Sequence, residues 1–367
     1  MDAESTTGPV RRGMATMARL AMAVATATAL GGELPDDTAV VGQPPREGIR
    51  QVVAALGYGP EVGDQFASFA ETLPVGRWQA TLGAAADRGD QKAVAEAESA
   101  VIDDIQRRLA AVIHQADGKS RYWNLPDVLA DRQAQCLGNC QLWYVLGKAV
   151  GLHMAAMEVS QPPDGELGEH ETHVATLVRL TDGRVRMIDA RYDIDDHAFR
   201  LGEFYRRDGV VWARADLAGR RRLHRRVRPL DEEGIKAAIL LNIGNTYRRA
   251  GREADAAPIY VRGLALDPDS PALHLAVAET SFAAGQWNDA ERSIRTAISL
   301  EPQGSEAYAA LGRLLSRQNK WADAVSAFDR VIALKPHSPD AVRSRQEAVR
   351  RRDQAGEPPR TPAHPTP

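Results

Sequence analysis

Apolar positions recur along the chain with two different periods, and the change from one to the other divides its first two thirds. Leu142, Val145, Leu146 and Val150 repeat at three- and four-residue spacing, which predicts an amphipathic helix opening near Gln135 and ended by Gly151. The same period runs through Ile49, Val52, Val53 and Leu56, and again through Val101, Ile102, Ile105, Leu109, Val112 and Ile113. The stretch from Gly48 to Gln115 therefore reads as helical and is expected to cover a core. After Gly151 alternation takes over. His153–Val159, Thr172–Leu180 and Arg184–Ala190 read as strands, and Thr181-Asp182-Gly183 is a three-residue hairpin connection with Gly183 left-handed. That register sets Leu180 opposite Arg184 and His173 opposite Arg191, so that Asp189 shares a face with His173, one diagonal step away. A slip of one residue would put them on opposite faces.

From Gly234 a longer period appears. Pro268, Pro302 and Pro336 recur every 34 residues, and in phase with them come Gly244, Ala278 and Gly312, then Ala256, Ala290 and Ala324, then Tyr260, Ile294 and Phe328. Small residues where paired helices approach and larger ones where they interlock give the helix-turn-helix unit of tetratricopeptide repeats. Three repeats are expected, with Ala341–Arg352 as a capping helix. Pro258, inside the second helix of the first repeat, predicts a kink.

These periods give the domain organisation: a poorly ordered lead-in over 1–45, an α+β domain over 46–230, an all-α repeat solenoid over 231–354 and a proline-rich tail over 355–367. Within the α+β domain the helical part is 46–120 and the candidate core 121–200. The 367 residues, 44% hydrophobic and 26% charged, suffice for two buried cores. A net charge of −3 gives no general attraction to nucleic acid or an anionic membrane. The exception is local: Arg220–Arg228 reads R-R-R-L-H-R-R-V-R, more simply a solvated linker or a strand edge pairing with nearby acids than a phosphate contact. Near the N-terminus Arg11, Arg12 and Arg19 precede an Ala- and Thr-rich run, Leu20–Leu30, that resembles a secretory signal only weakly. With two cysteines four residues apart, too close for a disulfide framework, a reducing cytoplasmic compartment is the simpler expectation.

Those cysteines, Cys136 and Cys140, both lie on the predicted helix over 135–152, and Cys136 alone sits at its start. A thiol in an opening turn sits among unpaired backbone N–H groups and the positive end of the helix dipole, both of which favour thiolate. With His173 beginning one strand and Asp189 ending the next, the chain offers a nucleophile, a base and an orienting carboxylate. In Asn124–Asp189 the cysteine stands fifteen residues before a Gly-Leu, followed by His-Val-Ala-Thr-Leu-Val and an aspartate sixteen after the histidine. There the chain resembles the transglutaminase-like superfamily, which has a papain-like core. The fuller layout, helices before and repeats after, is similar to a bacterial branch of it whose members often lack an assured activity. The resemblance implies Cys136 as nucleophile, His173 as general base and Asp189 as the residue holding the imidazole. Cys140 then fills a position usually held by a small residue, while a competing alignment on Gly138-Asn139-Cys140 makes Cys140 the nucleophile. Where the family often has tryptophan two residues after the histidine, this chain has Ala175.

The expected function is thiol-dependent acyl transfer without cofactor or metal, with the repeats recruiting a peptide or protein. The alternative is an adaptor whose degenerate core is structural. His170-Glu171-Thr172-His173 and the group Asp193, Asp195, Asp196 and His197 carry metal-ligand residue types, but the first is not on a predicted helix and the second reads as a solvated loop. Tyr122 and Trp123 could line a cleft or simply pack, and the polar connection Ser160–Glu171, with Pro162 and Pro163, could act as a lip on a site.

Overall fold

The computed structural model describes residues 44–88, 90–116, 121–163, 173–195, 197–215 and 222–358. The expectations for the lead-in up to residue 43, for most of the Ser160–Glu171 connection, for His170 and Glu171 and for the end of the tail lie outside these residues.

Four helices, rather than the two segments read from the pattern, precede the core: α1 (Pro45–Ala55), α2 (Pro60–Ala70), α3 (Val75–Ala86) and α4 (Gln91–Val112). The added pair is short. α2 opens with Pro60 at its first position, where a missing N–H is harmless, and buries Val62, Phe66 and Phe69. α3 buries Trp78 and Leu82, and the Trp78 indole donates to Asp104 at 2.8 Å. Next, β1 (His114–Gln115) pairs in parallel with β2 (Gln133–Ala134) across α5 (Leu125–Asp131), and α6 (Cys136–Val150) follows at once.

α6 corrects the amphipathic expectation, since every residue in it except Cys136 and Asn139 is buried. It packs against α1 and α3 on one side and strands on the other, the setting of a helix covered all round. One of its buried polar side chains, Gln141, is satisfied on both sides: it accepts from the Tyr58 hydroxyl at 2.6 Å and donates to the Trp123 carbonyl at 2.8 Å. Gly151, left-handed at φ +99°, ends the helix as predicted.

The strands are β3 (His153–Gln161), β4 (His173–Arg179), β5 (Val185–Asp189), β6 (Ile194–Asp195), β7 (Tyr205–Asp208), β8 (Val211–Arg214) and β9 (Arg226–Leu230), with a short helix α7 (Leu201–Phe204) before β7. Among the described residues they form one antiparallel sheet in the order β6-β5-β4-β3-β9-β8-β7. The β4–β5 pairing, with Thr176 opposite Ile188 and Leu180 N–H bonded to the Arg184 carbonyl at 2.7 Å, is the register read from the hairpin. The sheet also extends well past Ala190, where the pattern assigns no strand. β9 lies inside it, Val227 facing Val159 on one side and Trp212 on the other, so Arg226–Arg228 of the arginine-rich run form an interior strand that pairs with nearby acids rather than a solvated linker; Arg220 and Arg221 lie outside the described residues.

The remaining helices stack in pairs: α8 (Glu232–Arg249) with α9 (Glu253–Leu266), α10 (Pro271–Ala283) with α11 (Trp287–Leu300), and α12 (Ser305–Arg317) with α13 (Trp321–Leu334), closed by α14 (Pro339–Ala355). The in-phase small residues are where the helices touch. A Cβ on Gly244 would stand 2.3 Å from the Tyr260 ring, and one on Gly312 would stand 2.7 Å from the Phe328 ring. α9 runs on through Pro258 to Leu266, because a proline removes one helical hydrogen bond and the packed neighbours hold the rest.

The first repeats are bound to the sheet by ion pairs from β9. Arg228 reaches both carboxylate oxygens of Asp267, at 3.0 and 2.7 Å, and Glu158 at 2.7 Å. Arg226 reaches Asp208 at 3.0 Å and Glu301 at 3.3 Å, and the Ser160 hydroxyl also donates to Glu301, at 2.6 Å. Asp267 and Glu301 each stand immediately before a repeat proline, 34 residues apart, while Arg226 and Arg228 are two apart on one face of β9.

Candidate functional site

Cys136 is the first residue of α6, and its backbone amide lies among the N–H groups that no helical carbonyl reaches. Two contacts fix this helix end. The Gln135 amide donates to the Tyr122 carbonyl at 2.8 Å, and the Tyr122–Asn124 segment presses so closely on the first turn that a Cβ on Gly138 would stand 2.5 Å from the Tyr122 carbonyl oxygen. Tyr122 and Trp123 therefore pack, half-buried, against the core.

Beside this end lies the start of β4. Burial alone would raise the Cys136 thiol pKa, but the hydrogen bond and positive charge of His173, with the Val174 amide, outweigh it and hold the pKa below the usual thiol value. His173 is fully buried, and its Nε2 is 2.5 Å from Asp189 Oδ2. Its Nδ1 has no hydrogen-bond partner and, with Nε2 held by Asp189, is the ring atom open to the thiol. Burial opposes charge on this imidazole, yet bonds to Asp189 and Cys136 raise its pKa to about 9. Burial would raise the Asp189 carboxyl, but His173 and His224 hold it well below the ordinary carboxylate range, and the Arg191 amide fixes its other oxygen at 3.0 Å. Cys140, one turn further along, is buried, weakly contacts the Ala175 carbonyl at 3.9 Å, and has its pKa pushed up to about 12 by burial. Cys136, which remains partly exposed, His173 and Asp189 thus come together, and Cys140 stands apart from them.

Two residues at this site have no counterpart in the pattern of the sequence. Tyr192 lays its ring edge-on to His173 at 5.1 Å, and His224, from the turn ahead of β9, sits 5.8 Å from the His173 ring and 2.8 Å through Nε2 from Asp189 Oδ2. His224 appears in the sequence only as a lone histidine in an arginine run, and nothing local marks it. His173, Asp189 and His224 also form the group of metal-capable donors among the described residues, within 4.8 Å of one another; the acidic loop at Asp193 contributes none to it. A cavity of about 300 Å³ borders the site, walled by Gln106, Ile113, Asn139, Trp143, Ile188 and Asp189. Chemically, a partly exposed thiol of lowered pKa beside a carboxylate-held imidazole is suited to attack on a carbonyl carbon.

Two family models of the tetratricopeptide repeat match the chain, over residues 247–315 and 307–342. No curated protein matches it. Among solved structures, it is similar to the first TPR of Spaghetti (RPAP3) bound to the HSP90 peptide SRMEEVD, with 25% identity, TM-score 0.30 and coverage of 31% of this chain and 90% of that one. The first TPR domain of human RPAP3 gives 24%, 0.32, 33% and 94%, and the Sgt2 TPR domain from Aspergillus fumigatus gives 21%, 0.32, 36% and 91%, in the same order. Among the described residues no helix is long and apolar enough to cross a membrane. The C-terminal part of the chain is a tetratricopeptide-repeat solenoid, and the part before it is a mixed α/β domain.

Proposed function

We propose that the α/β part is a transglutaminase-like thiol enzyme of acyl-transfer type, and that the repeats recruit a peptide or protein to it. The observation that carries this reading is the buried His173–Asp189 pair beside a thiol at a helix N-terminus. In the reaction the Cys136 thiolate forms a C–S bond to an amide or ester carbonyl carbon. As the C–N or C–O bond breaks, the His173 imidazolium gives its proton to the departing amine or alcohol, leaving a thioester. Water or an amine then attacks the thioester, His173 takes up its proton, and Cys136 leaves again as thiolate. Asp189 keeps the imidazole oriented and stabilises its charged form.

Support for the recruiting role comes from a groove on the repeats that combines apolar Leu241 and Leu275 with Asn245, Arg248, Glu279 and Arg313, a mixture that can hold a peptide backbone and its side chains. The test is treatment of the folded full chain with an electrophilic thiol probe, followed by peptide mapping. A Cys136 adduct that His173→Ala slows is the expected result. Absence of any Cys136 adduct overturns the enzyme reading in favour of an adaptor.

A further inference from the structure

We infer that His224 is a positioning residue of this site, a second imidazole that holds Asp189 in line for His173. The inference rests on the acyl-transfer reading and adds a member to it from a part of the chain outside Asn124–Asp189.

Geometry carries the argument. His224 is fully buried, and its Nε2 lies 2.8 Å from the same Oδ2 that His173 Nε2 approaches at 2.5 Å. The Nε2–Oδ2 approach of His224 is a close contact without hydrogen-bond geometry, and its Nδ1 has no hydrogen-bond partner either, so His173 is the hydrogen-bonded partner of Asp189 and His224 a lateral, electrostatic one. The Arg191 amide on Oδ1 and the His173 hydrogen bond on Oδ2 hold the two oxygens, and the close His224 contact limits how far Oδ2 can swing away from His173. The His224 ring is itself fixed: it packs edge-on against Tyr192 at 5.5 Å and near His173, and the buried Tyr205 hydroxyl donates to its carbonyl at 2.7 Å.

Charge is consistent with that role. The titratable groups facing His224 are Asp189 and His173, with the rings of Tyr192 and Tyr205 beside it and Arg191 stacked over Tyr192. Burial holds the His224 pKa below the ordinary imidazole value against the pull of Asp189, so it is neutral at neutral pH and leaves the carboxylate's charge to the His173 imidazolium. A metal ion among the three residues is the competing arrangement. Ligand atoms about 2.0–2.2 Å from a tetrahedral ion stand more than 3 Å apart, whereas these contacts have hydrogen-bond length.

The experiment is the pH profile of Cys136 alkylation by iodoacetamide in the full chain, read by peptide mapping, for wild type, His224→Phe and His224→Gln. Phenylalanine keeps the ring packing without the donor, and the glutamine amide reaches the place of Nε2. With Asp189 loosened, His224→Phe should raise the thiol pKa by about one unit, so that alkylation at about pH 6 slows about tenfold while the rate above about pH 10 is unchanged. His224→Gln should restore most of the loss. If the phenylalanine variant does not fold, His224→Asn, whose amide is too short to reach Oδ2, replaces it against the glutamine variant. Superimposable profiles overturn the inference, and so does a stoichiometric metal ion in the purified wild type that His224→Gln loses. An ordinary thiol profile in the wild type overturns the acyl-transfer reading and the role of His224 together, a result distinct from a wild-type profile extended into acid that the variants leave unmoved.

Discussion

Cys136 and Cys140 stand one turn apart on the same helix, yet their surroundings push the two thiols in opposite directions, Cys136 down through His173 and Cys140 up to about 12 through burial. The difference follows from what each meets across β4. Cys136 has the imidazole and the Val174 amide, whereas Cys140 has only the Ala175 carbonyl and the Thr176 hydroxyl. One equivalent of iodoacetamide at neutral pH should therefore label Cys136 alone, and Cys140 only after unfolding. Mass mapping of both peptides checks this, and equal labelling of the two in the folded chain would contradict it.

The sign of the pH dependence follows from the same pair. His173 keeps its proton until about pH 9 while the thiol releases its own below the usual value, so between those limits the ion pair is the populated form. Alkylation of Cys136 should persist at about pH 6, where an ordinary thiol of pKa about 8.5 is nearly all protonated. In His173→Ala burial is no longer opposed, the thiol pKa rises, and the rate at about pH 6 should fall at least about tenfold, with little change above about pH 10. Asp189→Asn removes support for the imidazolium and should move the upper edge of the window down from about 9.

Gly138 and Gly147 lie on opposite ends of the cysteine helix, and both are closely approached, but by different kinds of group. At Gly138 a Cβ would meet the Tyr122 backbone carbonyl at 2.5 Å and Val128 at 2.8 Å, whereas at Gly147 it would meet the end of the flexible Met154 side chain. Backbone cannot step aside as a methionine can. Gly138→Ala should cost about 1–3 kcal/mol and slow Cys136 alkylation, since the helix end itself must shift. Gly147→Ala should cost less and leave the alkylation rate alone; chemical denaturation and the same labelling assay measure both.

What could be read in advance depended on whether the signal was local. The hairpin register followed from Gly183 and the alternation on either side of it, and with it the meeting of His173 and Asp189. The repeats followed from prolines 34 residues apart. Two short helices, α2 and α3, offer only a few apolar anchors each, too few turns for a period to stand out. The amphipathic reading of α6 failed because its second side is covered by helices distant in sequence. His224 and the strand that follows it had no local signature at all, since β9 owes its place to pairing with β3 and β8 rather than to its arginine-rich composition. One non-local clue was present: acids occupy the residue before the proline in two repeats, Asp267 and Glu301, while the third has Lys335, and it is those two acids that β9 engages.

That engagement makes Arg228 the residue on which the junction of the two parts depends most. It is 8% exposed and lies between Glu158 and Asp267, with Glu301 near enough to raise the Glu158 pKa further. Arg228→Met keeps the length of the side chain but leaves the buried Asp267 and half-buried Glu158 carboxylates facing each other without a counter-charge, so the variant should lose about 3–5 kcal/mol at neutral pH. Burial already raises Glu158, and without the guanidinium it rises further above its unfolded value. A carboxyl that binds its proton more tightly when folded stabilises the fold as pH falls, so the penalty should shrink as pH drops through the raised folded pKa and be greatest above it. Unfolding of wild type and Arg228→Met by denaturant at several pH values tests this. A deficit independent of pH would mean that lost packing, not uncompensated charge, is the cause.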